Sequence, residues 1–256
     1  MDLQIKKKRA IVTGATRGIG RAIAETLARE GCSVAICARN ADQVSETVEA
    51  LKTKGVSASG GVVDIADGDA LKAWIVKTGE EFGGLDILVS SAGAMAIGPD
   101  KTAWEKNLQI DIFGAVNSVE AALPMLEEAA KEKGDAAIVA IGSTAAVNAA
   151  EPSSYGAIKA ALVHYIRGLA KQNASKHVRA NVVSPGTVYF EGGVWHRVEQ
   201  RAPEVFKTNL ARNPMGRMAT PQDIANAAVF LASPCSSFTT GINMIVDGAL
   251  TDRVNF

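Results

Sequence analysis

The chain has 256 residues, 47% of them hydrophobic, and its 27 Lys and Arg are matched by 27 Asp and Glu, so it carries no formal net charge at pH 7. That length suits one α/β domain spanning residues 1–256 with a large buried core. The charge balance argues against a nucleic-acid partner, because the basic run at residues 6–9 is only long enough for a solvated lead-in to a strand. No apolar run reaches the roughly 18 residues of a membrane span, the amino terminus has no signal-peptide core, and Cys32, Cys37 and Cys235 have no metal-ligand spacing. The expectation is a soluble, cytoplasmic protein with no metal and no membrane partner.

Residues 9–13 (RAIVT) form a short apolar run that predicts the first strand, followed by a glycine turn and then by RAIAETLAREG. In that last stretch Ile19, Ile23 and Leu27 fall on one helical face, and Gly31 is placed to end the helix. Strand, glycine turn and helix in this order form a cradle for a dinucleotide. Glycine allows the tight turn and a close backbone approach, and the positive helix terminus favours a pyrophosphate. Apolar runs at 33–38, 59–63, 86–90, 136–141, 179–183 and 244–246 supply six more strands. Helical patterns at 41–54, 68–82, 102–132, 155–170 and 221–232 fall between most of them. The alternation predicts a Rossmann-like, doubly wound, seven-stranded parallel sheet with helices on both faces and the ligand at the strands' carboxyl ends. Residues 187–218 break the rhythm. Glycines, prolines and the aromatics Tyr189, Phe190, Trp195 and Phe206 mark them as a lid over the substrate.

Two features carry chemistry. Ser143 follows the 136–141 strand, and Tyr155 and Lys159 are one helical turn apart, so phenol and ammonium share a face. A phenol ordinarily keeps its proton to about pH 10, and a neighbouring cation favours its release. A tyrosine so placed exchanges a proton with an alcohol near neutrality, with Ser143 beside it to hold the substrate oxygen. The second feature concerns the cofactor. Strand 33–38 ends at Ala38 where an NAD site usually has a carboxylate, and Arg39 follows, with Arg17 inside the glycine turn. Two guanidiniums without a carboxylate suit the extra phosphate of NADP(H).

Thr13–Gly20 (TGATRGIG), Ser143, Tyr155 and Lys159 together resemble the short-chain dehydrogenase/reductase family, and the resemblance covers nearly the whole chain. It implies a cofactor site of Gly14, Thr16, Arg17, Gly18, Ile19, Gly20 and Arg39, with Asp64 and Ile65 at the adenine and Ala92 and Gly93 beside them. Pro185, Gly186 and Val188 would line the nicotinamide, next to Tyr155 and Lys159. It further implies Tyr155 as general acid/base, Lys159 on the nicotinamide ribose and Ser143 on the substrate oxygen, acting on a small to medium apolar ketone or secondary alcohol. The sequence itself suggests an apolar pocket made by the aromatics of 187–218 with Met95, Val147 and Met215.

Three positions depart from the family pattern. Asp111 stands where the family has a catalytic asparagine that holds a water linking the lysine to solvent. It would add negative charge beside Lys159 and Tyr155. Ser90 and Ser91 replace an Asn pair, and Phe190 replaces a threonine that touches the cofactor amide. The resemblance leaves two alternatives, a 3-oxoacyl-carrier-protein reductase and a cofactor-binding regulator with little turnover. The acidic run at 127–132 opposes docking of an acidic carrier protein. The apolar last strand and weakly charged tail, together with the resemblance, predict a homotetramer.

Overall fold

The computed structural model describes residues 2–98, 100–148 and 152–252, so the last four residues of the tail lie outside the described residues. Seven strands, β1 (Arg9–Thr13), β2 (Ser33–Ala38), β3 (Ala58–Val62), β4 (Ile87–Ser90), β5 (Ala136–Ile141), β6 (Val178–Pro185) and β7 (Asn243–Val246), form one sheet. Their order is β3-β2-β1-β4-β5-β6-β7 and every pairing is parallel. The helices are α1 (Gly18–Arg29), α2 (Ala41–Lys52), α3 (Gly68–Glu81), α4 (Lys101–Asn107), α5 (Gly114–Lys133), α6 (Ser154–Asn173), α7 (Val194–Arg201), α8 (Pro203–Ala211) and α9 (Pro221–Ala232).

Alternate residues of each central strand enter opposite cores, which is why these strands read as unbroken apolar runs. Ala10 and Val12, Val34 and Ile36, and Ile87 and Val89 pack with Ile23 and Leu27 of α1, Val44 and Leu51 of α2, and Ile224 and Val229 of α9. Ile11, Ala35 and Leu88 pack on the other face with Leu71 and Ile75 of α3, Val119 and Leu126 of α5, and Leu162 and Ile166 of α6. Strand order reverses between β2-β1 and β4, which opens a crevice at the carboxyl ends of β1 and β4, where ligands of such sheets bind. The Ser90–Ser91 departure falls at this crevice. Thr13 is paired in register with Ser90, and the Ser91 N–H donates to Thr13 Oγ1 at 3.2 Å, so the two strand ends are tied without asparagine side chains.

The single helix expected over 102–132 has an interruption. Between α4 and α5 the backbone widens to a π-helical segment, Leu108–Phe113, which carries Asp111. Such bulges recur where a helix must turn one side chain into a functional site.

The 187–218 excursion is structured. Its base is closed by Tyr189 N–H to Ala219 O (2.8 Å) and Ala219 N–H to Thr187 O (2.9 Å), and it carries α7 and α8. Its aromatics divide between two tasks. Tyr189 packs edge-on against His196 and Phe206, with ring centroids 6.1 and 5.8 Å away, and donates to Glu199. Phe190 and Trp195 face the crevice instead.

Candidate active site

One cleft of about 1400 Å³ runs along the carboxyl ends of the strands. Gly14, Thr16, Arg17, Gly18, Ile19, Gly20, Arg39, Asp64, Ile65, Ala92, Gly93, Ser143, Tyr155, Lys159, Pro185, Gly186 and Val188 all line it. Asp111 does not reach the surface of the cleft: it is buried beneath it, 2% exposed.

Steric necessity shapes the turn after β1. Gly14 and Gly18 have φ of +65° and +55°, a left-handed backbone that side chains disfavour. A Cβ on Gly14 would sit 2.8 Å from Ala92 Cα, and one on Gly20 would sit 2.4 Å from Gly14 O. The turn therefore lies against the end of β4 and offers bare backbone and the amino end of α1 to the cleft, as a pyrophosphate requires. β2 ends at Ala38, and Arg39 is exposed beside Asn40 and Gln43. Asp64 is the one carboxylate among the described residues lining the cleft, where Arg17, Arg39, Lys106, Lys159 and Arg197 supply positive charge. The donor set fits a dinucleotide with an added phosphate.

At the other end of the cleft, Ser143 caps a short 3₁₀ turn, Thr144–Ala146, its Oγ accepting the Ala145 N–H at 3.1 Å. That leaves the hydroxyl proton free to donate. Helix α6 approaches this turn closely at Gly156, where a Cβ would meet Ala145 O at 2.7 Å, so the residue after Tyr155 must be small for serine and tyrosine to share the cleft. Lys159 Nζ lies 5.8 Å from the centre of the Tyr155 ring. It donates to Ile141 O at 2.8 Å and stands 2.8 Å from Asp111 Oδ1.

Asp111 thus does more than the sequence predicts. Its Oδ2 accepts the Ala94 N–H at 2.9 Å, and its Oδ1 has no partner besides the lysine, a direct ion pair between side chains 0% and 4% exposed. Burial alone would lower the Lys159 pKa. The Asp111 carboxylate, and after it Tyr155, more than offset this and hold it above its ordinary value.

Four features are absent from the sequence reading. Asn107 is fully buried and clamps the loop after β4, accepting from Ala96 N–H at 3.2 Å and donating to Ala96 O at 2.9 Å and Ser154 Oγ at 3.1 Å. This joins the cleft rim to the residue before Tyr155. Phe190 presses on the glycine turn, since a Cβ on Gly18 would meet its Cζ at 2.6 Å. It seals the turn where a threonine would offer a hydroxyl. Arg197 of α7 also reaches the cleft. Lastly, of the expected apolar pocket Met95, Phe190 and Trp195 line the cleft, joined by Ile97 and Leu250, whereas Val147 and Met215 do not. Met215 instead packs on Gly248, its Sδ 3.2 Å from where a Cβ would lie.

The fold and this cleft are those of a dinucleotide-dependent oxidoreductase. A family model described as enoyl-(acyl carrier protein) reductase matches residues 14–251. The chain is 37% identical to the cis-4-hydroxycyclohexanecarboxylate dehydrogenase of Sinomonas cyclohexanicum, over 94% of this chain and 96% of that one. It is 32% identical to the isoepoxydon dehydrogenase of Penicillium expansum, over 96% and 95%. The structure of L-sorbose reductase from Gluconobacter frateurii with NADPH and L-sorbose superposes with a TM-score of 0.90 at 28% identity, covering 99% of this chain and 100% of that one. The chain belongs to the short-chain dehydrogenase/reductase family and is an oxidoreductase that transfers hydride with a nicotinamide dinucleotide.

Proposed function

We propose that the protein is an NADP(H)-dependent reductase and dehydrogenase of small to medium apolar ketones and secondary alcohols, with Tyr155 as its acid and base. The single observation that carries this reading is the convergence of Ser143, Tyr155 and Lys159 on the cleft that also holds the glycine turn and Arg39. The turn and the start of α1 would hold the pyrophosphate, Arg17 and Arg39 the 2′-phosphate, Asp64 and Ile65 the adenine, and Pro185, Gly186 and Val188 the nicotinamide. Bound there, the cofactor supplies or takes the hydride.

The remaining demands fall on side chains. In ketone reduction the new O–H bond needs a proton, which Tyr155 gives to the substrate oxygen while the Ser143 hydroxyl holds that oxygen. Lys159 has spent donors on Ile141 O and Asp111, which leaves an N–H for the ribose hydroxyls and keeps the cation beside the phenol. Residues 187–218 act as the lid, with Phe190 over the turn and Trp195 over the substrate.

A panel of cyclic and acyclic ketones assayed by NADPH oxidation tests this reading. A hydroxycyclohexane relative makes cyclohexanones the first arm. Turnover with NADPH preferred to NADH is expected. Binding of NADPH without turnover of any ketone would favour a cofactor-binding regulator instead. A relative named 3-oxoacyl-(acyl-carrier-protein) reductase, 31% identical over 95% of this chain, favours a second reading, reduction of a thioester-linked 3-oxoacyl chain. It predicts turnover of a 3-oxoacyl carrier protein far above that of the free ketones. We also propose a homotetramer. Trp104, Leu108 and Phe113 are 43%, 39% and 44% exposed, and edge strand β7 is only half-buried. A light-scattering mass near one chain at micromolar concentration would contradict it.

A further inference from the structure

Two arginines far apart in the chain meet over the phosphate turn. Arg17 stands at the turn itself and Arg197 on α7 of the lid, and both donate to the same oxygen, Gly192 O, at 3.5 and 2.9 Å. Guanidiniums that share one acceptor stand close together, and like charges in contact repel. Among the described residues no carboxylate lies within ion-pair distance of either: the cations at ion-pair distance from Asp or Glu are Lys8, Arg9, Arg21, Lys52, Lys72, Lys77, Lys101, Lys131, Lys133, Lys159, Lys176, Arg179, Lys207 and Arg217. Each guanidinium uses one N–H on Gly192 and has others left for an anion.

The lid chain between them rests on the turn. Phe190 fills the space above Gly18, which fits the segment to the turn, and a Cβ on Gly193 would meet the same ring at 2.9 Å, so the segment folds tightly on itself behind that contact. The Gly192 N–H donates to His196 Nδ1 at 3.0 Å, which fixes the start of α7 and with it the direction from which Arg197 arrives.

We propose that Arg197 is a ligand of the cofactor's pyrophosphate, brought by the lid to the phosphate turn beside Arg17. This rests on the dinucleotide reading of the cleft and adds to it a residue on the lid. A pyrophosphate oxygen against Arg197 takes up its spare donors and offsets its repulsion with Arg17, whose other N–H groups remain for the 2′-phosphate beside Arg39, so the lid is held shut most firmly when the dinucleotide is bound. The pyrophosphate is favoured over the 2′-phosphate because Phe190 lies over Gly18, inside the turn, and Gly192 O accepts from Arg17 of that turn, whereas Arg39 follows β2.

Calorimetric titration of NADPH and NADH into the whole enzyme and two variants tests this. Arg197→Gln keeps a donor for Gly192 O but removes the charge, and Arg197→Lys keeps the charge. Arg197→Gln is expected to weaken both cofactors alike, by about tenfold, and to flatten the salt dependence of binding, while Arg197→Lys retains most of the affinity. Gln binding as wild type, or Gln and Lys failing equally, would mean that Arg197 only braces the lid and overturns the proposal. Weakening confined to NADPH overturns the pyrophosphate assignment. No dinucleotide binding to wild type overturns both this proposal and the reading of the cleft.

Discussion

At the amino ends of the strands, charges are buried and paired. Asp135, just before β5, receives Arg179 Nε at 2.6 Å and Lys8 Nζ at 3.5 Å, and Arg179 also donates to Leu231 O, Ser233 O and Ser236 Oγ. Asp86, just before β4, is 0% exposed and receives Arg9 at 2.7 Å and Lys133 at 2.8 Å. Burial alone would raise its pKa, and the bonds from Arg9 and Lys133 outweigh that and lower it. At the carboxyl ends, Arg17, Arg39 and Arg197 line the cleft exposed and without a carboxylate at ion-pair distance among the described residues. A buried charge left single costs several kcal/mol, so the first set must be satisfied within the fold. The second set keeps its donors for a ligand. Lys159 with Asp111 belongs to both: it is buried and paired like the one end, yet placed at the chemistry of the other.

The sharpest way to break this contrast is to unpair the amino end. Asp135→Ala leaves Arg179 buried without its carboxylate and is expected to cost about 3–5 kcal/mol by chemical denaturation, with KM for cofactor unchanged in the folded fraction. A small loss would mean that the carbonyl bonds alone hold Arg179. At the carboxyl end, Arg39→Asp should leave stability nearly intact. It removes a charge-assisted contact worth roughly 1.5–3 kcal/mol and adds repulsion, so NADPH affinity falls by about tenfold or more. NADH affinity should hold or improve, and equal loss of both would refute the 2′-phosphate role.

Asp111→Asn is the subtler test, because it keeps size and removes charge. Asp111 supports the Lys159 cation, so the lysine keeps its proton further into the alkaline range than a free one. Removing the carboxylate lowers that limit, which moves the alkaline limb of alcohol oxidation toward acid. A pH–rate profile for oxidation whose alkaline limb moves toward acid is expected. An unchanged profile would show that the ion pair is not felt in turnover.

What the sequence makes legible is whatever lies close along the chain. Tyr155 and Lys159 are one helical turn apart, and the glycine turn is contiguous, so spacing alone places them. The seven apolar runs survive because both faces of each central strand are buried, although β3, β4, β6 and β7 differ by a residue or more from the expected bounds. What escapes depends on distance across the fold. The Asp111–Lys159 ion pair joins a π-helical segment to α6, and nothing in LQIDIF signals that the helix will widen there. Asn107 reads as a polar helix residue until the loop at Ala96 folds against it. Arg197 reads as one more surface arginine in a polar helix, and only the fold of the 187–218 segment brings it to the Gly192 O that Arg17 also meets. Aromatic content marks residues 187–218 as a lid, yet Tyr189 and Phe206 serve the segment's own packing.

The most direct test of the central claim compares wild type with Tyr155→Phe on a ketone or alcohol that the wild type turns over, with cofactor affinity measured alongside. The phenyl ring keeps the place of the tyrosine at the start of α6 and removes only the proton donor. The account predicts a fall in kcat of roughly 10²–10⁴-fold with NADPH affinity nearly unchanged. Turnover retained at the wild-type rate would place the proton transfer on another residue and contradict it.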